Sequence, residues 1–367
     1  MSSKLSTEAA GVATRQKRVS RRALLLGAGA VVVAGGAGAG GLAIWNYIHE
    51  HTAVYTYAGS TDPIYALAWS PDGRRIASGT TYAAGTSIWD ALTGEHVLAL
   101  GDSQHSSRAH GLAWSPDGTR LATAYADALV WDARSGQMLA DYLMPARNAS
   151  QEAVAWSPDG TRVVSGGQGY SADPTAQVWD AASGKTLLNF RDTTPDTASG
   201  YVYALAWSPD GRWIATAGTG FSSKSKATLV ATFQVWNATS GELVFTHHET
   251  SELDAIQCVA WSPGSDRLVT GDTSSLVRVW DRASRRLLLT YRGQRGYISA
   301  LGWSPDGKWI ASAADDATAQ VWDAQTGQAA YTYRGHSDLL RALAWSPDGA
   351  YIATGGDDNT VQIWRPH

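Results

Sequence analysis

Residues 342–364 read ALAWSPDGAYIATGGDDNTVQIW, and similar stretches occur six more times in the chain. Each stretch contains a first tryptophan followed by Ser-Pro and ends on a second tryptophan, which aspartate usually follows. The two series interleave strictly and use 14 of the 17 tryptophans. The first series is Trp69, Trp114, Trp156, Trp207, Trp261, Trp303 and Trp345, and the second is Trp89, Trp131, Trp179, Trp236, Trp280, Trp322 and Trp364. Seven copies at intervals of 42 to 54 residues predict a repeat architecture.

The strand that leads into each first tryptophan alternates small and large side chains. In the last unit Ala342 and Ala344 flank Leu343, and the other six units place Ala, Gly or Cys at the two flanking positions. Successive residues of a strand point to opposite faces, so one face is small and the other is large. Sheets packed radially around an axis are most crowded at the centre. A small face against a large one suits that crowding, so we predict that this strand is the innermost one.

The rest of each unit predicts three further strands. Ser-Pro-Asp-Gly predicts a tight turn, because Pro presets φ, Asp bonds to the backbone and Gly tolerates positive φ. Residues 351–354 and 360–364 predict the second and third strands of the last unit, which has no outer strand of its own. Residues 53–57 (AVYTY) resemble residues 329–333 (AAYTY), the predicted outer strand of the unit before it. We therefore expect the N-terminal strand to close the last unit and remove an exposed sheet edge.

The period and the terminal Trp-Asp pair resemble the WD-repeat (WD40) family, in which each unit is one four-stranded blade of a β-propeller. The resemblance covers about residues 52–364 and implies an all-β fold, a seven-bladed propeller over residues 52–367. Only the last unit carries the family's full internal hydrogen-bonding set, at Gly335-His336, Thr354, Asp358 and Trp364. Proteins of this family are typically scaffolds, so the resemblance implies a non-catalytic chain that binds a protein or peptide.

The N-terminal part predicts an export signal or a membrane anchor. Residues 1–22 are basic, residues 23–45 carry no charged side chain, and residues 46–51 link this segment to the propeller. As a helix, the apolar segment is long enough to span a hydrocarbon core of about 30 Å. Arg21 and Arg22 resemble the twin-arginine signal of bacteria, which implies export of a folded protein. We expect a propeller on the extracytoplasmic side of the membrane with its N-terminus in the cytoplasm. Cleavage of the segment, followed by secretion, is the alternative.

The charge distribution argues against nucleic acid as a partner. The formal net charge is −4, and residues 1–45 hold six basic side chains against one acidic one, a balance of +5. The remaining residues hold 23 basic against 32 acidic side chains, a balance of −9. Affinity for nucleic acid rests on Lys and Arg that neutralise phosphates, and an acidic body does not supply that excess.

The sequence contains none of the common catalytic or metal-binding signatures. No G-x-S-x-G, H-E-x-x-H, paired C-x-x-C or P-loop pattern occurs. His247-His248 lacks further ligands at the spacing of a metal site. Cys258, the single cysteine, lies in an apolar run that predicts a buried thiol. We therefore expect no cofactor and no metal ion.

The position four residues before each first tryptophan is the first candidate binding site. It differs in every unit although its neighbours are nearly constant. In a propeller these residues surround the mouth of the central channel, on the face formed by the connections between blades and the turns between second and third strands. We call this face the loop face. The seven residues are Tyr65, His110, Glu152, Tyr203, Gln257, Ser299 and Arg341. We expect a partner here, and the alternative is an enzyme or small-ligand receptor in which several of these side chains converge.

Three long connections on the loop face form the second candidate binding site. They are predicted at residues 191–200, 218–228 and 247–254, in neighbouring blades. The middle one carries Phe221, Lys224 and Lys226, an aromatic side chain beside two basic ones. An insertion without function is the alternative, because loops tolerate extra residues well.

Overall fold

Seven four-stranded antiparallel sheets make up the described part of the chain, which is residues 52–101, 107–142, 150–168, 175–190, 197–222, 229–250 and 255–366 of a computed structural model. The strands in chain order are β1 (Tyr55–Tyr57), β2 (Ala66–Trp69), β3 (Arg75–Gly79), β4 (Thr86–Asp90), β5 (His96–Ala99), β6 (Gly111–Trp114), β7 (Arg120–Ala124), β8 (Ala128–Asp132), β9 (Met138–Tyr142), β10 (Gln151–Trp156), β11 (Arg162–Gly167), β12 (Ala176–Asp180), β13 (Thr186–Phe190), β14 (Thr197–Trp207), β15 (Trp213–Ser222), β16 (Leu229–Asn237), β17 (Leu243–Thr250), β18 (Ile256–Trp261), β19 (Arg267–Asp272), β20 (Val277–Asp281), β21 (Arg286–Tyr291), β22 (Ile298–Trp303), β23 (Trp309–Ala314), β24 (Ala319–Asp323), β25 (Ala329–Tyr333), β26 (Leu340–Trp345), β27 (Ile352–Gly356) and β28 (Val361–Trp364).

The sheets are the seven predicted blades of a β-propeller. Blade 1 is β2–β5, and blades 2 to 6 follow in groups of four strands, each in sequence order. Blade 7 combines β26, β27 and β28 with β1. Within the described residues, the first strands of successive blades contact one another around the whole ring, from β2 to β26 and back to β2. The prediction that the strand before each first tryptophan is innermost is therefore confirmed.

In five of the seven blades the first tryptophan forms a hydrogen bond to the preceding blade. The Trp114 indole N–H donates to the carbonyl of Ala68 in blade 1 at 3.0 Å, and Trp156 repeats the bond to Ala113 at 3.0 Å. Trp69 closes the ring in the same way, with a 3.2 Å bond to Ala344 of blade 7. Each accepting carbonyl lies on an innermost strand, so the hydrogen bonds link the blades where they are most crowded.

The second tryptophan of a blade is buried between two blades. The Trp131 indole N–H donates to Thr123 Oγ1 within its own blade at 3.0 Å. In blades 1, 3, 6 and 7 a tyrosine ring from the outer strand of the preceding blade stacks on the indole, as Tyr142 does on Trp179 at 5.2 Å between centroids. Such stacked rings add to the stability of the blade interface.

The N-terminal strand closes the ring as predicted. In β1, Tyr55 pairs with Ile363 and Tyr57 pairs with Val361 of β28. The Tyr57 ring also stacks on Trp89 of blade 1, with centroids 5.0 Å apart and planes at 9°. The strand therefore completes the sheet of blade 7 and supplies the aromatic ring of the interface between blades 7 and 1.

Blade 7 contains the predicted internal hydrogen-bonding set. His336 Nδ1 lies 2.8 Å from Asp358 Oδ2, and His336 Nε2 lies 2.9 Å from Thr354 Oγ1. Thr354 Oγ1 also accepts the Trp364 indole N–H at 3.0 Å. Burial would raise the pKa of Asp358, but hydrogen bonds from His336 and Thr360 and the nearby imidazole lower it to about 2.

Blade 4 differs from the prediction, because much of the expected loop region is strand. Its strands are 8 to 11 residues long, against 3 to 6 in the other blades. Pairing continues through Thr197↔Ser222, Phe221↔Leu229 and Val230↔Thr250, so Phe221 lies in a strand and its assignment to a loop was wrong. Residues rich in Thr, Val and Phe favour this extension. At about 3.3 Å per residue, five extra residues raise blade 4 by roughly 16 Å on the loop face.

The predicted basic region, apolar segment and linker over residues 1–51 lie outside the described residues. Among the residues that are described, no helix has the length and apolar character needed to cross a membrane.

Candidate functional site

The seven predicted mouth residues lie at the loop-face ends of the innermost strands, one in each blade. All seven are half-buried, so each has one side in contact with its neighbours and one side open to solvent. The turns between second and third strands approach them from outside and add further side chains. The contacts divide the ring into an aromatic part on blades 1 to 4 and a polar part on blades 5 to 7.

The aromatic part begins with a row of rings on blades 1 and 2. The Tyr65 and His110 centroids lie 5.6 Å apart with an edge-to-face orientation. His110 stacks on Tyr125 at 5.4 Å, and the Arg108 guanidinium lies 5.8 Å above the Tyr125 ring. His110 Nδ1 also lies 3.4 Å from Glu152 Oε2 of blade 3. The structure therefore brings three of the predicted residues into direct contact.

Tyr203 continues the aromatic part onto blade 4. Its ring lies 6.2 Å from the Tyr201 ring in a stacked orientation, and the Tyr201 hydroxyl accepts a 2.7 Å hydrogen bond from Gln168. Burial raises the pKa of Tyr203, with smaller contributions from Tyr201 and from the Glu152 carboxylate. The phenol therefore stays protonated beside an acidic neighbour.

Arg341 anchors the polar part of the mouth. Its Nε and Nη2 donate to the two carboxylate oxygens of Asp357 at 3.0 and 2.7 Å, a bidentate pair. The hydrogen bond to Asp357 raises the pKa of Arg341. Burial and then Asp357 raise the pKa of Tyr65, while Arg341 lowers it. The Arg341–Asp357 pair therefore lies next to the aromatic row. Much of the Arg341 charge is already neutralised within the chain.

Ser299 and Gln257 complete the ring with smaller roles. The Ser299 hydroxyl lies 2.7 Å from the Leu340 carbonyl and 3.1 Å from the Ala313 carbonyl, so it links blades 6 and 7. Gln257 is half-buried on blade 5. Ser299 therefore has a structural partner on both sides.

The second candidate set is only partly placed. The Phe221 backbone pairs with Leu229 in the raised end of blade 4. Lys224 and Lys226 lie outside the described residues.

Three mouth residues were missed by the sequence reasoning. Tyr82, Tyr125 and Asp357 all come from the turns that follow the second strands, and Tyr82 is 54% exposed. They follow the second strand at positions where the units also diverge. A comparison of the seven units at those positions identifies them.

The site shows little sign of metal or thiol chemistry. Within the described part of the chain, no group of three or more His, Cys, Asp or Glu could hold a metal ion. Cys258 is buried, and burial raises the pKa of its thiol far above the ordinary value. A crevice between blades 3 and 4, lined by Thr175, Tyr201 and Thr232, has room for about one water molecule at roughly 20 Å³.

Family comparison agrees with the blade structure. Residues 51–90, 241–281, 285–323 and 327–365 match the model of the WD domain, G-beta repeat. The chain carries WD40 repeats. Residues 82–255, which include the blades between the first and second of these matches, are similar to the model of the eukaryotic translation initiation factor eIF2A.

Curated proteins that are similar to parts of the chain include two from eukaryotes. One is the protein transport protein SEC31 of Chaetomium globosum, 32% identical over 138 residues, which is 36% of this chain and 10% of that protein. The other is protein tipD of Dictyostelium discoideum, 27% identical over 116 residues, which is 30% of this chain and 16% of that protein. The matches thus span a small part of each relative. Both come from eukaryotes, so the bacterial export signal stays a prediction from residues 20–45.

Proposed function

We propose that this WD-repeat propeller is a non-catalytic scaffold that holds a protein or peptide partner on its loop face, centred on the channel mouth. The observation that carries the proposal is the contiguous row of Tyr65, His110 and Tyr125, continued by Tyr203. Aromatic side chains at the centre of a surface supply most of the energy of many interfaces. WD-repeat propellers generally bind protein partners, which supports the same class of function.

The raised end of blade 4 supports a location for the partner. It stands beside Tyr201 and Tyr203, so a partner seated on the mouth also contacts this wall. The wall makes one side of an otherwise ring-shaped surface distinct, and it gives the partner a defined orientation.

The experiment is an affinity capture from solubilised membranes with the full chain as bait, followed by binding measurements on the recovered partner. Tyr65→Ala and Tyr203→Ala should each weaken binding by roughly thirtyfold, because loss of an interface aromatic costs about 2 kcal/mol. Leu92→Ala and Gln325→Ala, in exposed turns of the opposite face, are the matched controls. Loss of binding in the controls with retention in the tyrosine variants contradicts the proposal.

The contact between His110 and Glu152 favours a second candidate, an enzyme or small-ligand receptor at the mouth. Its test is a thermal-shift screen of metabolites against the wild-type chain and His110→Gln. A ligand that stabilises the first and not the second supports this candidate.

We also propose that the chain is exported through the twin-arginine route and tethered by residues 23–45, with cleavage and secretion as the alternative. The basic pair Arg21 and Arg22 supports the route. Replacing both by Lys keeps the charge but removes the guanidinium groups, and it should abolish export. Export of the double Lys variant at the parental level contradicts the route.

A further inference from the structure

The turn between the third and fourth strands of blade 5 differs from its counterparts in five other blades. Blades 1, 2, 3, 4 and 6 each place a glycine at the fifth turn position, with φ between 65° and 74°. Those glycines are Gly94, Gly136, Gly184, Gly241 and Gly327. Blade 5 places Arg285 there, at φ 61°. A side chain in this left-handed region costs about 1 kcal/mol, so blade 5 keeps a strained arginine where its sisters avoid strain.

Two further changes make this corner of blade 5 basic. Arg286 replaces Glu95, Gln137, Lys185, Glu242 or Gln328 of the sister blades, and Arg282 replaces their alanine. Arg282 has a structural role, since its guanidinium lies 5.0 Å from the Trp213 ring of blade 4. Arg285 and Arg286 are exposed. Within the described residues no carboxylate forms an ion pair with either of them, so both charges face solvent.

Exposed leucines continue the basic corner along β21. Leu287 and Leu288 are 46% and 50% exposed, whereas the outer strands β5, β9 and β13 each expose one large aliphatic side chain to this degree. The four consecutive residues from Arg285 to Leu288 thus form a basic and apolar patch on the turn face, the face opposite the channel mouth residues. The body around it carries a net charge of −9, so the patch stands out by its sign.

We propose that residues 285–288 bind an acidic segment of a protein partner, at a site separate from the loop face. Arginine pairs with carboxylates in a bidentate geometry, and the two leucines can cover apolar residues between the acidic ones. Charge complementarity thus selects an acidic, partly apolar peptide. An anionic membrane is the less suitable occupant, because basic clusters that bind lipid surfaces hold about 4 to 8 charges and this patch has two free ones.

The test uses the full chain and a short fluorescent peptide that alternates Asp or Glu with Leu, beside a neutral peptide with Asn and Gln instead. The wild-type chain should bind the acidic peptide, and added salt should weaken this binding. Replacing Arg285→Gly and Arg286→Gln together restores sister-blade residues. It should weaken binding at least about tenfold without lowering the melting temperature, because the glycine relieves strain. Arg134→Ala, an exposed arginine in the corresponding turn of blade 2, should leave binding unchanged.

Three results would each overturn the proposal. The first is that the neutral peptide binds the wild-type chain as tightly as the acidic one. The second is that the double variant keeps its affinity for the acidic peptide. The third is that Arg134→Ala lowers this affinity as much as the double variant does. Anionic vesicles that bind in an Arg285- and Arg286-dependent way while the acidic peptide does not would identify a membrane surface instead. Tyr65→Ala should keep acidic-peptide binding, so the loop-face proposal and this one can fail independently.

Discussion

Closure of the ring by β1 can be tested with a single substitution, Tyr57→Ala. The Tyr57 ring is half-buried and stacks on Trp89, which is fully buried between blades 7 and 1. The substitution removes the stacked pair, worth about 0.5–1.5 kcal/mol beyond area burial. It also loses the burial of the Tyr57 ring and exposes part of the Trp89 indole, worth roughly 1–2 kcal/mol more. The free energy of unfolding should therefore fall by about 1.5–3.5 kcal/mol.

The assay is urea unfolding followed by tryptophan fluorescence, with two comparison variants in the full chain. Thr56→Ala changes the exposed neighbour in the same strand and should alter the unfolding free energy by less than about 0.5 kcal/mol. Tyr142→Ala removes the equivalent ring between blades 2 and 3, where Tyr142 stacks on Trp179 at 5.2 Å. Because Tyr142 is more deeply buried and its hydroxyl bonds to Gln177, Tyr142→Ala should cost at least as much as Tyr57→Ala.

Deletion of residues 52–58 is the stronger form of the same test. It removes the Tyr57 ring, the three residue pairs of β1 with β28 and the bond from the Val54 N–H to Ile363. At about 1 kcal/mol net for each hydrogen bond, a loss of roughly 5–8 kcal/mol follows, comparable to the stability of many domains. A deletion variant that melts with the wild type, or a Tyr57→Ala variant within 0.5 kcal/mol of it, would refute the closure argument.

Three further changes probe the interfaces and the blade interiors. Arg120→Ala should cost about 1.5–2 kcal/mol in urea unfolding, because the guanidinium lies 4.5 Å from the Trp156 ring and donates to the Gly160 carbonyl at 2.9 Å, whereas Arg134→Ala should be neutral. Asp358→Asn should destabilise the chain at pH 5 and far less at pH 2. The pKa of Asp358 is lowered to about 2, so its ionised form stabilises the fold above about pH 4, and this contribution disappears as the pH falls toward 2. Gly218→Ala should cost about 1–3 kcal/mol by the same assay, because its Cβ would lie 1.7 Å from the Tyr201 carbonyl in the neighbouring strand.

The repeats were enough to predict the number of blades, the innermost strands and the closing strand. Each of these depends on local chemistry that recurs in every unit: the small-large alternation around Leu343, the Ser-Pro-Asp-Gly turn, and the likeness of residues 53–57 to residues 329–333. The confirmed features are therefore those for which seven copies of the same evidence existed within one chain.

Features that join different parts of the chain were not predictable in the same way. The pairing of Arg341 with Asp357 depends on register between two strands, and the stacking of His110 on Tyr125 depends on a turn from the same blade. The extension of blade 4 was missed because its extra residues have no counterpart in the sister units. Comparison between repeats classified them as loop, although their own Thr, Val and Phe content favours strand.

Divergence between repeats has a different meaning at different positions. A half-buried position such as Gln257 can change between blades at little cost, so divergence there is weak support for binding. A left-handed turn position is different, because every residue other than glycine is penalised there. In blade 5 two such positions have lost glycine. At Ser265 a hydrogen bond offsets the strain of the left-handed backbone, since its hydroxyl accepts the Asp210 backbone N–H of blade 4 at 3.0 Å. Arg285 has an exposed side chain and forms no ion pair within the described residues. Arg285 thus combines a left-handed φ with an exposed charge, so the basic corner of blade 5 is a sharper hypothesis than the variable mouth.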